Sequence, residues 1–328
     1  MKMNAVSARA LPAWVGGLPD VRVGRWQPVS WHPTDKWLHD GKSFEIGELL
    51  YEDEGGRPLG VRLLVDPGSE RMPLPDVYRG LDLLWSSGFR SPSPYRVPRP
   101  FTYDQDTGVL VREFIPGSTW ADTVLGGDGR DAASDGVARW LCALQRLRVT
   151  PSVAELPRTP YPYRTAEQVA ELQDQIGDRA AERRVEAVGR EVRERLASSA
   201  GRPLVVSHGD LHPKNVLISG HAVVAIDTDR LALRDEGADP GRAMAQLISM
   251  SVARRGHARA GEAAAGRFWR SYRRSGGAAT WPKTAPHVVA TLIECVHYRV
   301  ALGDNTWPGP HHGWIASWER ILRGGKPW

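Results

Sequence analysis

The stretch from residue 205 to residue 227 constrains the fold more than any other part of the chain. Two short apolar runs rich in Val and Ile flank a polar segment, residues 208–215, which we call the motif loop; such runs are typical of buried strands. Asp210 and Asn215 lie five residues apart in this loop. Asp227 follows Asn215 by twelve residues, at the end of a second apolar strand that we expect beside the first. The pattern predicts three polar side chains that converge on one point.

A carboxylate, an amide and a second carboxylate suit the transfer of a phosphoryl group. One carboxylate can orient an attacking hydroxyl and accept its proton, and hard oxygen ligands can hold Mg²⁺ on nucleotide phosphates. The alternative interpretation is a polar turn between two buried strands, in which these residue types coincide by chance. The spacing favours the phosphoryl-transfer site.

At these residues the chain resembles the aminoglycoside phosphotransferase and choline kinase family, distant relatives of the protein kinases. Its signature is a His-x-Asp-x-x-x-x-Asn loop followed by an Ile-Asp strand end. His208, Asp210, Asn215 and Asp227 each match this signature. The family's helix start, Gly-Asp-Pro-x-x-Asp-Leu-Ala, is matched in part by residues 238–245.

The resemblance implies an α+β, bilobal protein-kinase-like fold with a small β-rich N-lobe and a larger, mostly helical C-lobe. We expect an irregular N-terminal arm at 1–26 and a nucleotide-binding N-lobe at 27–112. A hinge follows at 113–118, and the C-lobe covers 119–328 with the motif loop as its catalytic loop and with the acceptor site.

The resemblance also implies a role for each matched residue in an ATP- or GTP-dependent phosphotransferase. Asp210 orients the acceptor hydroxyl, and His208 braces the motif loop. Asn215 and Asp227 hold Mg²⁺. Arg62 steadies the nucleotide phosphates from the second strand of a hairpin predicted for residues 44–65.

In this family the backbone of the hinge meets the adenine. Glu113, Phe114 and Ile115 occupy that place, after a strand that begins at Val109 and before a break at Pro116. Taken alone, these residues fit an ordinary strand and turn equally well.

Three places depart from the family pattern. Arg62 stands where relatives carry a lysine, and a planar guanidinium does not replace a compact ammonium conservatively. The segment 30–37, at the position of the phosphate-covering loop, has no glycine pair, so Lys36 or Lys42 is a further candidate for phosphate contact. Ala243 replaces the second acid of the helix start. The acid that pairs with Arg62 is left open among Glu70, Asp76 and Asp82.

These departures define an alternative function, a pseudokinase-like nucleotide-binding scaffold or partner subunit. A solvent-facing Arg62 on an ordinary strand would fit that alternative. The complete set of Asp210, Asn215 and Asp227 favours an active phosphotransferase instead.

Charge bears on the acceptor. The chain carries 43 Lys and Arg against 38 Asp and Glu, and from Ser251 onward there are twelve basic residues against four acids. Polycationic aminoglycosides need an acidic pocket, so this surplus favours a neutral or anionic acceptor: a small metabolite, a less basic antibiotic, or a peptide Ser or Thr. With no basic tract or RNA-binding aromatic motif, we expect no nucleic-acid partner.

The remaining composition predicts a cytoplasmic protein. Two cysteines, Cys142 and Cys295, are too few for a disulfide framework and are expected as buried thiols. No run of eighteen apolar residues and no export signal is evident, so we expect no membrane partner.

Overall fold

The structure, a computed structural model, describes residues 27–39, 42–52, 58–65, 74–105, 109–126, 131–147, 150–159, 163–198, 204–301 and 311–328. Backbone proximity divides the chain into two compact units. The strand unit comprises Met1–Gly117 and Val224–Asp229, and the helical unit comprises Ser118–Val223 and Arg230–Trp328. The arm predicted for 1–26 lies outside the described residues.

Antiparallel strands dominate the strand unit. Its described elements are β1 (Gln27–His39), β2 (Lys42–Glu52), β3 (Pro58–Val65), α1 (Leu74–Ser86), β4 (Tyr95–Arg96), β5 (Pro100–Asp104) and β6 (Val109–Glu113). Five of them form one sheet in the order β1-β2-β3-β6-β5. The predicted hairpin is confirmed, because β2 and β3 pair antiparallel with Glu48 opposite Arg62. On the other side of β3, Arg62 lies opposite Arg112.

Helices make up most of the helical unit. They are α2 (Trp120–Leu125), α3 (Asp131–Gln145), α4 (Pro151–Ala154), α5 (Thr165–Ile176), α6 (Arg179–Ala197), α7 (Ala238–Arg255), α8 (Arg259–Arg274), α9 (Trp281–Ala301) and α10 (His311–Leu322). The short strands are β7 (Ser118–Thr119), β8 (Val205–Ser207), β9 (Val216–Ser219), β10 (Ala222–Ala225), whose last two residues belong to the strand unit, and β11 (Ala232–Arg234). Strands followed by helices confirm the α+β class. None of the described helices is long and apolar enough to cross a membrane.

The boundary between α5 and α6 shows how local sequence sets these elements. Gly177 ends α5 with φ of 64°, a left-handed conformation that glycine adopts without a steric cost. The Asp178 side chain then caps α6 by accepting the Ala180 N–H at 2.8 Å. Apolar residues at helical spacing put one face of α6 in the core, at Val185, Val188, Val192 and Leu196.

Aromatic side chains form much of the core of the helical unit. Trp120, Trp140 and Trp318 are almost completely buried. Phe268 and Tyr272 stack with ring centroids 6.3 Å apart. Aromatic residues of the C-terminal third, such as Phe268, Tyr272 and Trp318, therefore belong to the core.

Both cysteines are buried free thiols, as predicted. Burial raises the pKa of Cys295 to about 11 and also raises that of Cys142. Both thiols are therefore protonated at neutral pH.

Short strands hold the two ends of the motif loop. β9, which follows the loop, neighbours β7 and β10. β8, which precedes the loop, pairs instead with β11, Ser207 lying opposite Ala232. The strand that leads to Asp227 thus lies beside the strand after the loop, and not beside the strand before it as expected.

Close packing of α7 against α8 gives a stability prediction. A Cβ atom at Gly261 would lie 2.3 Å from the Leu247 carbonyl oxygen and 2.7 Å from the Ile248 Cα. Both are backbone atoms, so Gly261→Ala should lower the free energy of unfolding by about 1–3 kcal/mol. The matched control is Gly313→Ala in α10, where a Cβ meets nothing within 4 Å. That substitution should raise stability by up to about 1 kcal/mol. Denaturant titration of both variants checks this, and equal effects would contradict the packing.

Candidate active site

The motif loop brings Asp210 and Asn215 together in the helical unit. The His212 N–H donates to the Asp210 carbonyl at 2.6 Å, and the Asn215 N–H donates to the His212 carbonyl at 2.8 Å. These backbone bonds fold the loop into consecutive turns. The Asn215 Nδ2 group then donates to the Asp210 carbonyl at 3.2 Å and lies 3.5 Å from Oδ2 of the Asp210 carboxylate.

The start of the motif loop is fixed by a buried carboxylate. Asp239, in the first turn of α7, accepts the His208 N–H at 2.8 Å and the Gly209 N–H at 3.0 Å. Gly209 has φ of 81°, and a Cβ there would lie only 2.0 Å from the Arg230 carbonyl oxygen. A side chain at position 209 is therefore excluded by both backbone conformation and space.

His208 supports the loop from inside the core. It is fully buried, and its ring meets the Trp140 ring edge-on with centroids 6.0 Å apart. Its Nδ1 accepts a long hydrogen bond, 3.4 Å, from the Asp210 N–H. These contacts fit the bracing role predicted for His208.

Asp210 is a largely buried carboxylate with a cationic partner. Its side chain is 18% exposed, and Oδ1 accepts from the Arg242 Nε at 2.5 Å. Burial alone would raise the pKa of Asp210, but the guanidinium groups of Arg242 and Arg230 outweigh it and hold that pKa below its ordinary value. Asp210 is therefore ionised at neutral pH, as a residue that orients a hydroxyl must be.

Arg242 links Asp210 to a second carboxylate. Its Nη1 and Nη2 donate to the two Glu294 oxygens of α9, at 2.9 and 3.2 Å. Burial would lower the pKa of Arg242, but Asp210 and Glu294 raise it well above its ordinary value. The guanidinium is thus a permanent charge between two acids.

Three of these residues were not among those singled out from the sequence. Asp239 lies within the recognised helix start, so its place could have been anticipated from that motif. Arg242 occupies a free position of the same motif, where no residue type is expected. Glu294 lies 52 residues further along the chain and carries no local signal.

His212 adds a neutral group next to Asp210. Burial lowers its pKa to about 4, even though the nearby Asp210 carboxylate acts in the opposite direction. Its Nδ1 accepts the Lys214 N–H at 3.0 Å, so the neutral ring carries its proton on Nε2. The ring therefore offers a donor but no charge at physiological pH.

Asp227 belongs to the strand unit and follows β10 by two residues. Its φ is 67°, and no other non-glycine residue in the described part of the chain has a positive φ. The next residue, Thr228, is anchored because its hydroxyl donates to the Val77 carbonyl of α1 at 3.3 Å. Backbone strain of this kind clusters at functional positions, which makes Asp227 a strong site candidate.

The other predicted nucleotide contacts also lie in the strand unit. The side chain of Arg62 lies outside the described part of the chain, so its phosphate contact stays a prediction. The Glu113 N–H donates to the Arg99 carbonyl at 2.9 Å, and the Glu113 carboxylate accepts from Arg96 at 3.1 Å. Phe114 and Ile115 follow directly after β6.

Comparison with known proteins places this geometry in a family. A family model described as the phosphotransferase enzyme family matches residues 52–287, which include the motif loop and Asp227. Comparison with curated protein sequences found no match.

Solved structures share the fold across most of their length. A choline/ethanolamine kinase family protein from Mesorhizobium loti is 15% identical, with a TM-score of 0.53 over 84% of this chain and 85% of that one. An aminoglycoside phosphotransferase from Alicyclobacillus acidocaldarius is 14% identical, with a TM-score of 0.53 over 98% and 100%. The amicoumacin kinase hAmiN, solved in complex with AMP-PNP, Ca²⁺ and Ami, is 15% identical, with a TM-score of 0.53 over 90% and 91%.

At these identities the structures establish the fold, and they confirm the predicted protein-kinase-like class with N-terminal strands and a largely helical C-terminal part. The family model covers more than half of the 328 residues. The chain therefore belongs to the phosphotransferase enzyme family, as a kinase that transfers phosphate from a nucleotide to a hydroxyl acceptor.

Proposed function

We propose that this kinase transfers the γ-phosphate of ATP or GTP to a hydroxyl of a neutral or anionic acceptor. The acceptor is a small metabolite, an antibiotic or a peptide Ser or Thr. The observation that carries the proposal is the Asp210 carboxylate, which is ionised and held by Arg242 through one oxygen only. Its second oxygen, Oδ2, can accept the proton of an attacking hydroxyl.

The chemistry assigned to Asp210 is positioning and proton acceptance. The acceptor oxygen forms a bond to the γ-phosphorus as the bond from that phosphorus to the bridging oxygen breaks. The hydroxyl proton passes to Asp210, and the nucleoside diphosphate leaves. Phosphoryl transfer asks mainly for alignment and charge neutralisation, both of which a fixed carboxylate beside bound cations can provide.

Asn215 and Asp227 are the proposed ligands of Mg²⁺. The Nδ2 group of Asn215 is used on the Asp210 carbonyl, which leaves the amide Oδ1 as its ligand atom. Asp227 adds a half-buried carboxylate with a constrained backbone. Such hard oxygen donors fit Mg²⁺, which when bound neutralises charge on the nucleotide phosphates.

The nucleotide is proposed to be held by Arg62 at its phosphates and by the hinge at its base. Because the Glu113 N–H is already donated to the Arg99 carbonyl, the proposed base contacts use the Glu113 carbonyl and the backbone of Phe114 and Ile115. The Glu113 side chain, engaged with Arg96, helps to fix the end of β6.

Charge around Asp210 supports the acceptor class. Arg242 forms ion pairs with both Asp210 and Glu294. Neither carboxylate is therefore left unpaired to bind the ammonium groups of a polycationic acceptor. Burial lowers the pKa of His212 to about 4, so this ring is neutral and does not change the charge around Asp210. Together with the basic surplus after Ser251, this favours acceptors that are neutral or anionic.

A cytoplasmic location is part of the same proposal. Cys142 and Cys295 persist as buried free thiols, which fits a reducing compartment where the intracellular nucleotide pool is available.

An acceptor screen tests the function. With Mg·ATP and Mg·GTP, the protein should add one phosphoryl group, detected by mass spectrometry, to a neutral or anionic hydroxyl compound in preference to kanamycin-like polycations. Asp210→Asn should lower turnover by about two to four powers of ten while nucleotide affinity changes only a few-fold.

Two results would count against this proposal. A polycationic aminoglycoside as the best acceptor would refute the acceptor class. Equal, background-level turnover by the natural protein and Asp210→Asn would favour the scaffold alternative.

A second prediction concerns the metal. Asp227→Asn keeps a residue type that tolerates positive φ but removes the charge, so it should raise the Mg²⁺ concentration needed for half-maximal turnover by at least about tenfold. The control is Asp174→Ala, an exposed carboxylate on α5. Magnesium titrations of turnover check the prediction, and an unchanged titration for Asp227→Asn would remove Asp227 from the metal site.

A further inference from the structure

Arg242 contacts Asp210 but has no assigned part in the phosphoryl transfer described above. It lies three residues after Asp239 on α7, so both side chains project from the same face of the helix. The Arg242 side chain is only 9% exposed, and it contacts carboxylates from the motif loop and from α9.

The guanidinium is oriented by three hydrogen bonds. Two of them form a fork on Glu294, at 2.9 and 3.2 Å, which fixes the plane of the group. The third runs from Nε to Oδ1 of Asp210 at 2.5 Å. Rotation of the guanidinium would break this set, so Glu294 determines where Arg242 holds Asp210.

The two oxygens of Asp210 are therefore unequal. Oδ1 takes the charged hydrogen bond from Arg242. Oδ2 has the Asn215 amide at 3.5 Å, beyond the length of a good hydrogen bond. This leaves Oδ2 as the oxygen that an incoming hydroxyl can engage.

We propose that Arg242, clamped by Glu294, is a positioning residue that fixes the Asp210 carboxylate through Oδ1 and presents Oδ2 to the acceptor hydroxyl. The inference rests on the proposed role of Asp210. It assigns to this chain a three-residue unit, Asp210–Arg242–Glu294, that the family motif does not specify.

A purely structural role for Arg242 predicts something different. Charged groups removed from water stabilise a fold weakly, and apolar side chains of similar volume often serve equally well. A structural arginine would change stability and leave the rate of the folded enzyme unaltered. A positioning arginine lowers kcat and leaves nucleotide KM nearly unchanged.

The test is a double-mutant cycle on Mg·ATP turnover with water as the acceptor, measured as kcat and KM at fixed pH. Arg242→Gln should lower kcat about 10- to 100-fold, with KM for ATP within about threefold, because a small misplacement of the carboxylate is costly. Arg242→Lys should recover part of the loss. Glu294→Gln should give a smaller loss of the same kind.

The cycle shows whether Arg242 affects kcat through Asp210. In the Asp210→Asn background, Arg242→Gln should cause no further loss of kcat, because residues that act through one another are not additive. If Arg242→Gln does not fold, Glu294→Gln, which keeps the side-chain volume, replaces it in the same cycle with Asp210→Asn.

A matched control exists elsewhere in the helical unit. Arg184 of α6 also makes a two-pronged contact with a glutamate of another helix, donating from Nε and Nη2 to Glu319 of α10 at 2.9 and 3.0 Å. Arg184→Gln removes an equivalent interhelical pair and should leave kcat unchanged.

Each outcome decides between the claims. Full kcat in folded Arg242→Gln, or a loss that adds fully to that of Asp210→Asn, overturns the positioning role. If Asp210→Asn itself turns over ATP as fast as the natural protein, the proposed function fails first, whatever Arg242 does.

Discussion

The shape of the candidate site depends on one buried carboxylate, Asp239. By accepting the backbone N–H groups of His208 and Gly209, it joins the first turn of α7 to the start of the motif loop. Backbone N–H groups in a buried segment need acceptors, and this loop has left the β8 ladder at that point. The loop can turn towards Asp210 because Asp239 supplies those acceptors and because position 209 is a glycine beside the Arg230 carbonyl.

The same helix turn then acts on the side chain of Asp210. Arg242, three residues after Asp239, forms an ion pair with the Asp210 carboxylate. It forms a second ion pair with Glu294. Buried charges are costly unless each is paired and hydrogen-bonded. One turn of α7 therefore both holds the backbone of the motif loop and stabilises the ionised form of Asp210. This explains how Asp210 can be largely buried and still carry its charge.

The sequence was most informative where the signal was local. The motif loop, the hairpin of β2 and β3, and the apolar stripe of α6 all follow from residues close together in the chain, where spacing alone sets which side chains share a turn or a face. Arg242 and Glu294 could not be found in this way. Arg242 lies 32 residues after Asp210, and Glu294 lies 52 residues after Arg242. The contact between Arg242 and Glu294 depends on how α7 and α9 pack. The strand partner of β8 was missed for the same reason, since pairing between β8 and β11 depends on the chain between them.

The claim that α7 sets the shape of the motif loop is tested most directly by amide hydrogen exchange at His208 and Gly209 in the natural protein and in Asp239→Asn. An amide side chain offers one acceptor oxygen where the carboxylate offers two, so it cannot hold both N–H groups as well. We expect slow exchange at both amides in the natural protein, exchange at least about tenfold faster in the variant, and unchanged exchange in α3 and α6. Equal exchange of the His208 and Gly209 amides in the two proteins would contradict the claim.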